Sequence, residues 1–177
     1  MNQTAPKLPE VEEHDLASKY PVRLPVWWGI YGEKNNEFKD MKGVTGKNVM
    51  IRHMKIYSKS GIIRNFYGLL EKILQKIMRA PNVLRRPLYE MNSLLWELSD
   101  GHRTFSEICN ILDQTYQEDI APVQERTAMS IKKFESLGMM TISDTEFDGR
   151  WNTNSGFDIT GKLPEPDPML KLEWDGE

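Results

Sequence analysis

The stretch Leu94-Leu-Trp-Glu-Leu-Ser-Asp-Gly-His-Arg-Thr-Phe-Ser-Glu-Ile108 constrains this chain more than any other part of it. Leu94, Leu95 and Leu98 recur at helical spacing with Trp96 beside them, and Asp100-Gly101 then ends the helix, because glycine enters the left-handed conformation that commonly follows a last turn. Thr104 and Glu107 form a capping box. The Thr hydroxyl accepts from the Glu107 amide while the Glu carboxylate accepts from the Thr104 amide. A helix, a tight turn and a capped second helix are thereby specified without any catalytic group.

The elements that follow extend this module. The second helix is predicted over Phe105–Tyr116, with Ile108, Ile111 and Leu112 on its inner face. A polar turn, Gln117–Ile120, leads to a third helix from about Ala121 to Leu137, with Pro122 in its first turn. Val123, Thr127, Ile131 and Phe134 or Leu137 form its buried stripe. Gly138 closes it, Met139–Ser143 reads as a strand, Asp144–Gly149 as a turn, and Arg150–Thr153 as a returning strand. Three helices and a small β-hairpin make a winged helix-turn-helix, so the fold class is α+β and mostly helical.

Upstream lies an N-terminal strand and helix extension, residues 20–83. Tyr20–Tyr31 is aromatic and β-prone, but Pro21 and Pro25 limit it to a short edge strand or extended segment. Glu33–Lys47 is a polar loop and Asn48–Tyr57 a strand. Between Ile62 and Met78 the apolar residues follow an i, i+3, i+4, i+7 stripe flanked by Arg64, Lys72, Lys76 and Arg79, the pattern of a basic amphipathic helix. Residues 1–19 read as a disordered arm. The Pro-, Gly- and acid-rich residues 154–177 read as a disordered tail after a module spanning 84–153.

Charge is segregated. From Gly46 to Arg86 there are ten basic residues and one acid, Glu71, a balance of +9 that leaves −12 for the rest of a chain of net charge −3. The module itself is acidic, with six basic against ten acidic residues between Leu84 and Asp144. Nucleic-acid affinity rests on phosphate neutralisation, so this balance argues against DNA as the ligand. The basic block suits an anionic contact, whether a membrane surface, an acidic partner or the chain's own acidic parts; the apolar stripe of its helix is expected to pack on the module and complete its core, with membrane-surface association through residues 62–79 as the alternative. With 39% hydrophobic residues and a mean hydropathy of −0.56, there is no apolar run long enough to cross a bilayer, and Met1–Glu10 lacks the apolar region of a secretory signal. The expected location is cytoplasmic, with peripheral membrane contact as the variant.

Single residues add little chemistry. Cys109 is the one cysteine and lies on an apolar helix face, where a buried structural thiol is expected. His14, His53 and His102 lack ligand spacing, so neither a metal nor a cofactor is expected. No phosphate loop, dinucleotide fingerprint or nucleophile elbow occurs. Trp96, flanked by leucines, is expected in the core.

The run from Leu95-Trp96 through Asp100-Gly101, Thr104 and Ile108, followed by Ile131, Phe134 and Gly138, resembles the PqqD family over about Leu84–Ile142, a third of the chain. These are small peptide chaperones of pyrroloquinoline quinone biosynthesis and related recognition elements for ribosomally made, modified peptides. The resemblance implies a non-enzymatic adaptor that binds the leader of a precursor peptide and presents it to a modifying enzyme, often a radical-SAM protein. It also implies that the leader adds as a strand to a sheet edge beside the third helix. Carried onto this sequence, the edge falls near Arg85–Tyr89, and the peptide-binding residues are Arg85, Leu88 and Tyr89, with Ala128, Ile131, Lys132 and Glu135 on the helix. Pro87 lies within that edge and removes one amide donor. The alternatives are a winged-helix DNA-binding regulator and a membrane-surface adaptor.

Overall fold

The computed structural model describes residues 14–54 and 83–175. The expected amphipathic helix 62–78 and most of the expected N-terminal arm lie outside the described residues. Within them the chain is α+β, with three α-helices and two small antiparallel sheets: β1 (Tyr20–Arg23), β2 (Trp27–Tyr31), β3 (Asn48–Met54), β4 (Val83–Pro87), α1 (Glu90–Leu98), α2 (Phe105–Tyr116), α3 (Val123–Ser136) and β5 (Met140–Ser143).

The helices sit where periodicity and capping put them. Thr104 Oγ1 accepts from the Glu107 amide at 3.3 Å and Glu107 Oε2 accepts from the Thr104 amide at 2.7 Å, which closes the capping box at the start of α2. The backbone and hydroxyl hydrogen bonds from Thr104 hold the Glu107 carboxyl below its usual pKa. A depressed carboxyl stabilises the fold above its unfolded pKa and loses that contribution as pH falls through the folded value. Glu107→Ala should therefore cost about 1 kcal/mol at neutral pH, the usual size of a lost cap. Urea titrations of both proteins should converge in midpoint as the pH drops below about 4. A gap that persists in acid would show that the side chain acts through something other than this cap.

The strands depart from the expected plan in an instructive way. Tyr20–Tyr31 is two strands in two sheets. Leu24-Pro25-Val26 breaks it, since a proline cannot donate to a ladder. Arg150–Thr153 is not a strand. The partner of β5 is β1, in the register Tyr20↔Ser143 to Arg23↔Met140. The Leu24 amide prolongs this pairing by donating to the Met139 carbonyl at 2.9 Å.

Arg23 fixes β1 in place. Its Nη1 donates to the carbonyls of Trp96 (2.7 Å) and Glu97 (2.9 Å), the orphan acceptors at the end of α1. Burial lowers the Arg23 pKa to about 10, which still leaves it charged at neutral pH. The expected returning strand instead places Trp151 so that its Nε1 donates to the Arg23 carbonyl at 2.7 Å.

The second sheet is the meander β2-β3-β4, with Trp27↔Arg52 and Met50↔Pro87 among its pairs. One face packs on the helices. Trp28, Val49 and Ile51 share a hydrophobic cluster with Leu94, Trp96, Phe105, Ile108, Ile131 and Phe134. The loop read as merely polar contributes buried Phe38 and Val44 to the same cluster. The expected extension and module thus build one core.

The opposite face of the sheet carries Trp27, Met50 and Arg52, and the C-terminal tail covers it. This corrects the expectation that residues 154–177 are unpacked. Leu172 is buried against Trp27 and Met50, with Leu163, Leu170 and Trp174 around them. Arg52 stacks over the Trp27 ring at 4.6 Å and donates to the Pro164 carbonyl. The tail is polar overall, but those four apolar residues are enough to cover one face of a three-stranded sheet that would otherwise be exposed.

Candidate functional site

A three-stranded meander has two edges, and an unpaired edge is a template for another strand. The β2 edge is closed by the tail. The amide of Ile30 donates to the Glu173 carbonyl at 2.9 Å and the Glu173 amide donates back at 2.8 Å. Among the described residues nothing pairs with the far side of β4.

The direction of its backbone groups follows from one bond. The Leu88 amide donates inward to the Val49 carbonyl at 2.8 Å. Because hydrogen-bonded pairs alternate along an antiparallel ladder, Leu84, Arg86 and Leu88 bond inward while Val83, Arg85 and Pro87 face outward. Pro87 therefore lacks its N–H on the outer side only, and the β3–β4 ladder loses nothing. The edge keeps the N–H and C=O of Val83 and Arg85 and the C=O of Pro87.

Beside this edge runs a cleft of about 210 Å³. Arg86 and Leu88 form its strand wall, Ser130, Lys133, Phe134 and Leu137 its helix wall, and Ile51 lies at its base. Arg86 Nε donates to His53 Nε2 at 3.2 Å, which holds the guanidinium along the rim. A second pocket, of about 310 Å³, opens among α1, α2 and α3. Leu95, Leu112 and Ile120 line it, with Met129 and Arg126 also on its border. Asn92 and Ser130 border both.

The residues expected to hold a peptide are placed unequally. Leu88 is in the cleft. Arg85 offers its backbone outward, but its side chain shares the face of Arg52, away from the helices. Tyr89 is 87% exposed at the start of α1. Ile131 is fully buried and presents no surface to a guest, while Ala128 is partly buried against the core and borders neither cleft. Lys132 and Glu135 are exposed and border neither cleft. The helix wall lies two positions further along the chain than expected, at Ser130, Lys133, Phe134 and Leu137. The buried stripe through Thr127, Ile131 and Phe134 could have located it, since a groove must flank such a stripe rather than coincide with it. Arg86 was hidden in the basic block, because which of two adjacent arginines faces the helices depends on strand parity.

The described residues offer little for catalysis. Burial pushes the Cys109 thiol up to about 11, so it stays protonated and unreactive at neutral pH. Among the described residues no three His, Cys, Asp or Glu side chains gather as a metal site, and no helix is long and apolar enough to cross a membrane. What the arrangement can do is accept an extended chain on main-chain bonds and read its side chains in the flanking cleft. Comparison of the chain with protein-family models, with curated proteins and with solved structures gives no match.

Proposed function

We propose that this chain is a non-enzymatic peptide-binding adaptor that takes an extended guest as a fourth strand on β4. The observation that carries this reading is a cleft between β4 and α3 beside a sheet edge that none of the described residues pairs with, while the protein's own tail meets the other edge. Main-chain bonds along Val83–Pro87 supply affinity, and side chains of the guest that point toward α3 supply selectivity. The order of the meander followed by three helices agrees with the PqqD-like reading. In that reading β1·β5 stands where a wing would be, the guest is the leader of a precursor peptide, and the recipient is a modifying enzyme of the radical-SAM kind.

The duplex-DNA reading fits less well. The exposed Arg126, Lys132 and Lys133 of α3 are interleaved with exposed Glu125 and Glu135, which leaves little net attraction for phosphates.

The test is selection of a phage-displayed library of random peptides, each about 15 residues long and so able to span the edge with residues to spare, on the immobilised full chain. Enriched peptides should shift the amide resonances of Val83–Leu88 and of α3. Arg85→Pro removes one outward N–H and leaves the inward bonds of Leu84 and Arg86, so the fold should persist while affinity for the guest falls about tenfold or more. Failure to enrich any peptide, or guests that bind Arg85→Pro as tightly as the parent chain, would refute strand addition.

A further inference from the structure

The cleft beside β4 does not end with the strand. Asn92 and Ser130 join it to the pocket among the three helices, so an extended chain leaving the Pro87 end of the edge passes directly over the second pocket. That pocket has the character of a ligand site. Thr127, 2% exposed, borders it with its hydroxyl set against the Cys109 sulfur. Its volume of about 310 Å³ is ample for a leucyl or phenyl side chain, since a cavity of about half that size accepts benzene. Met129, 72% exposed, stands at its border as an apolar side chain without cover.

The charge of the two clefts is one-sided. Among the described residues Arg86, Lys133 and Arg126 line them and no carboxylate does. That argues against the chain's own basic stretch, with Arg64, Lys72, Lys76 and Arg79, as the occupant. It favours a guest of opposite sign.

Resting on the peptide-binding reading, we infer that the guest is an acidic, amphipathic peptide that uses both clefts. A carboxylate lies between Arg86 and Lys133 while the strand sits on β4. An apolar side chain beyond the strand fills the three-helix pocket. The second anchor sets the register of the guest, which main-chain bonding alone leaves free.

The peptides enriched on the full chain supply the probe. They should carry Asp or Glu in the β4-bound segment and a Leu, Phe or Met outside it. Alanine at that outer apolar position should weaken binding about tenfold or more, as expected for a fully buried aliphatic group. Met129→Ser, at an exposed position, should weaken the full peptide and leave the alanine-substituted peptide unchanged. Equal binding of the full and alanine-substituted peptides to the parent chain, with binding still sensitive to Arg85→Pro, would overturn this inference and leave strand addition standing. Insensitivity to Arg85→Pro would remove both. Enrichment of neutral or basic peptides would overturn the acidic assignment. Displacement of the guest by a synthetic peptide of residues 62–79, or dimerisation of the chain that the guest abolishes, would give the clefts to the protein itself and likewise overturn it.

Discussion

Trp96→Ala should destabilise this protein by about 3–5 kcal/mol, the cost of removing the largest class of core side chain and leaving a cavity behind. Trp96 is fully buried and joins three elements. From α1 its ring meets Trp28 of β2 edge-on at 6.4 Å and Phe134 of α3 at 5.5 Å. It is therefore the contact through which the meander and the third helix hold their separation, and Phe134 is also a wall of the β4 cleft. Denaturant titration at low temperature checks the prediction, because a loss of this size is a large fraction of the stability of an ordinary domain. Trp96 Nε1 has no hydrogen-bond partner, so Trp96→Phe removes volume alone and should cost roughly half as much. A loss below about 2 kcal/mol for the alanine variant would mean that the three elements close around the gap and that the tryptophan is not what spaces them.

The next residue should be nearly as costly for a different reason. Glu97 is 1% exposed, yet it is not in an apolar environment. Its carboxylate accepts from the Thr45 amide at 3.0 Å, from the Gly46 amide at 2.9 Å and from the Thr45 hydroxyl. The charge is thus met by a preformed ring of donors, while the Arg23 guanidinium, bonded to the carbonyls of Trp96 and Glu97, lies close enough to feel its field. Gly46 completes the ring with φ +65°. A Cβ there would approach Phe38 Cδ2 to 2.6 Å, so only glycine brings the loop close enough.

Glu97→Ala leaves three donors without an acceptor, and hydrogen bonds to charged groups are the stronger kind. A loss of about 3 kcal/mol or more is expected. The loop that carries buried Phe38 and Val44 should loosen with it, visible as faster amide exchange at Thr45 and Gly46. Thr45→Ala should cost about 1 kcal/mol, since it removes only the hydroxyl. If Glu97→Ala and Thr45→Ala are equally mild, the carboxylate ring contributes no more than an ordinary surface bond.

These neighbours show where sequence reasoning reaches its limit. Trp96 was legible as core because it sits among leucines at helical spacing, and the pattern of apolar residues reports burial directly. Glu97 has the signature of a solvated helix residue, and nothing near it in sequence announces Thr45 and Gly46, about fifty positions earlier. Arg23 is a similar case. A lone arginine after a short β-prone run gives no sign that it caps a helix more than seventy positions later. Buried charges are explained by their partners, and partners distant in sequence become visible only when the chain has folded.

The same division runs through the candidate site. The capping box of α2, its span Phe105–Tyr116 and the break at Asp100-Gly101 are local matters of propensity, capping and periodicity, and were legible in the amino-acid sequence alone. Which strand β5 joins, which sheet edge the tail occupies, and that Lys133 and Phe134 rather than Lys132 and Glu135 face β4 are matters of pairing and rotation. Local energetics leaves those nearly degenerate. A strand pairs as well with one partner as another, and a helix turned by one residue keeps all of its own hydrogen bonds. Only the burial of Trp28, Trp96 and Ile51 on one side of the sheet and Leu172 on the other lifts that degeneracy, and it does so by placing β4 beside α3.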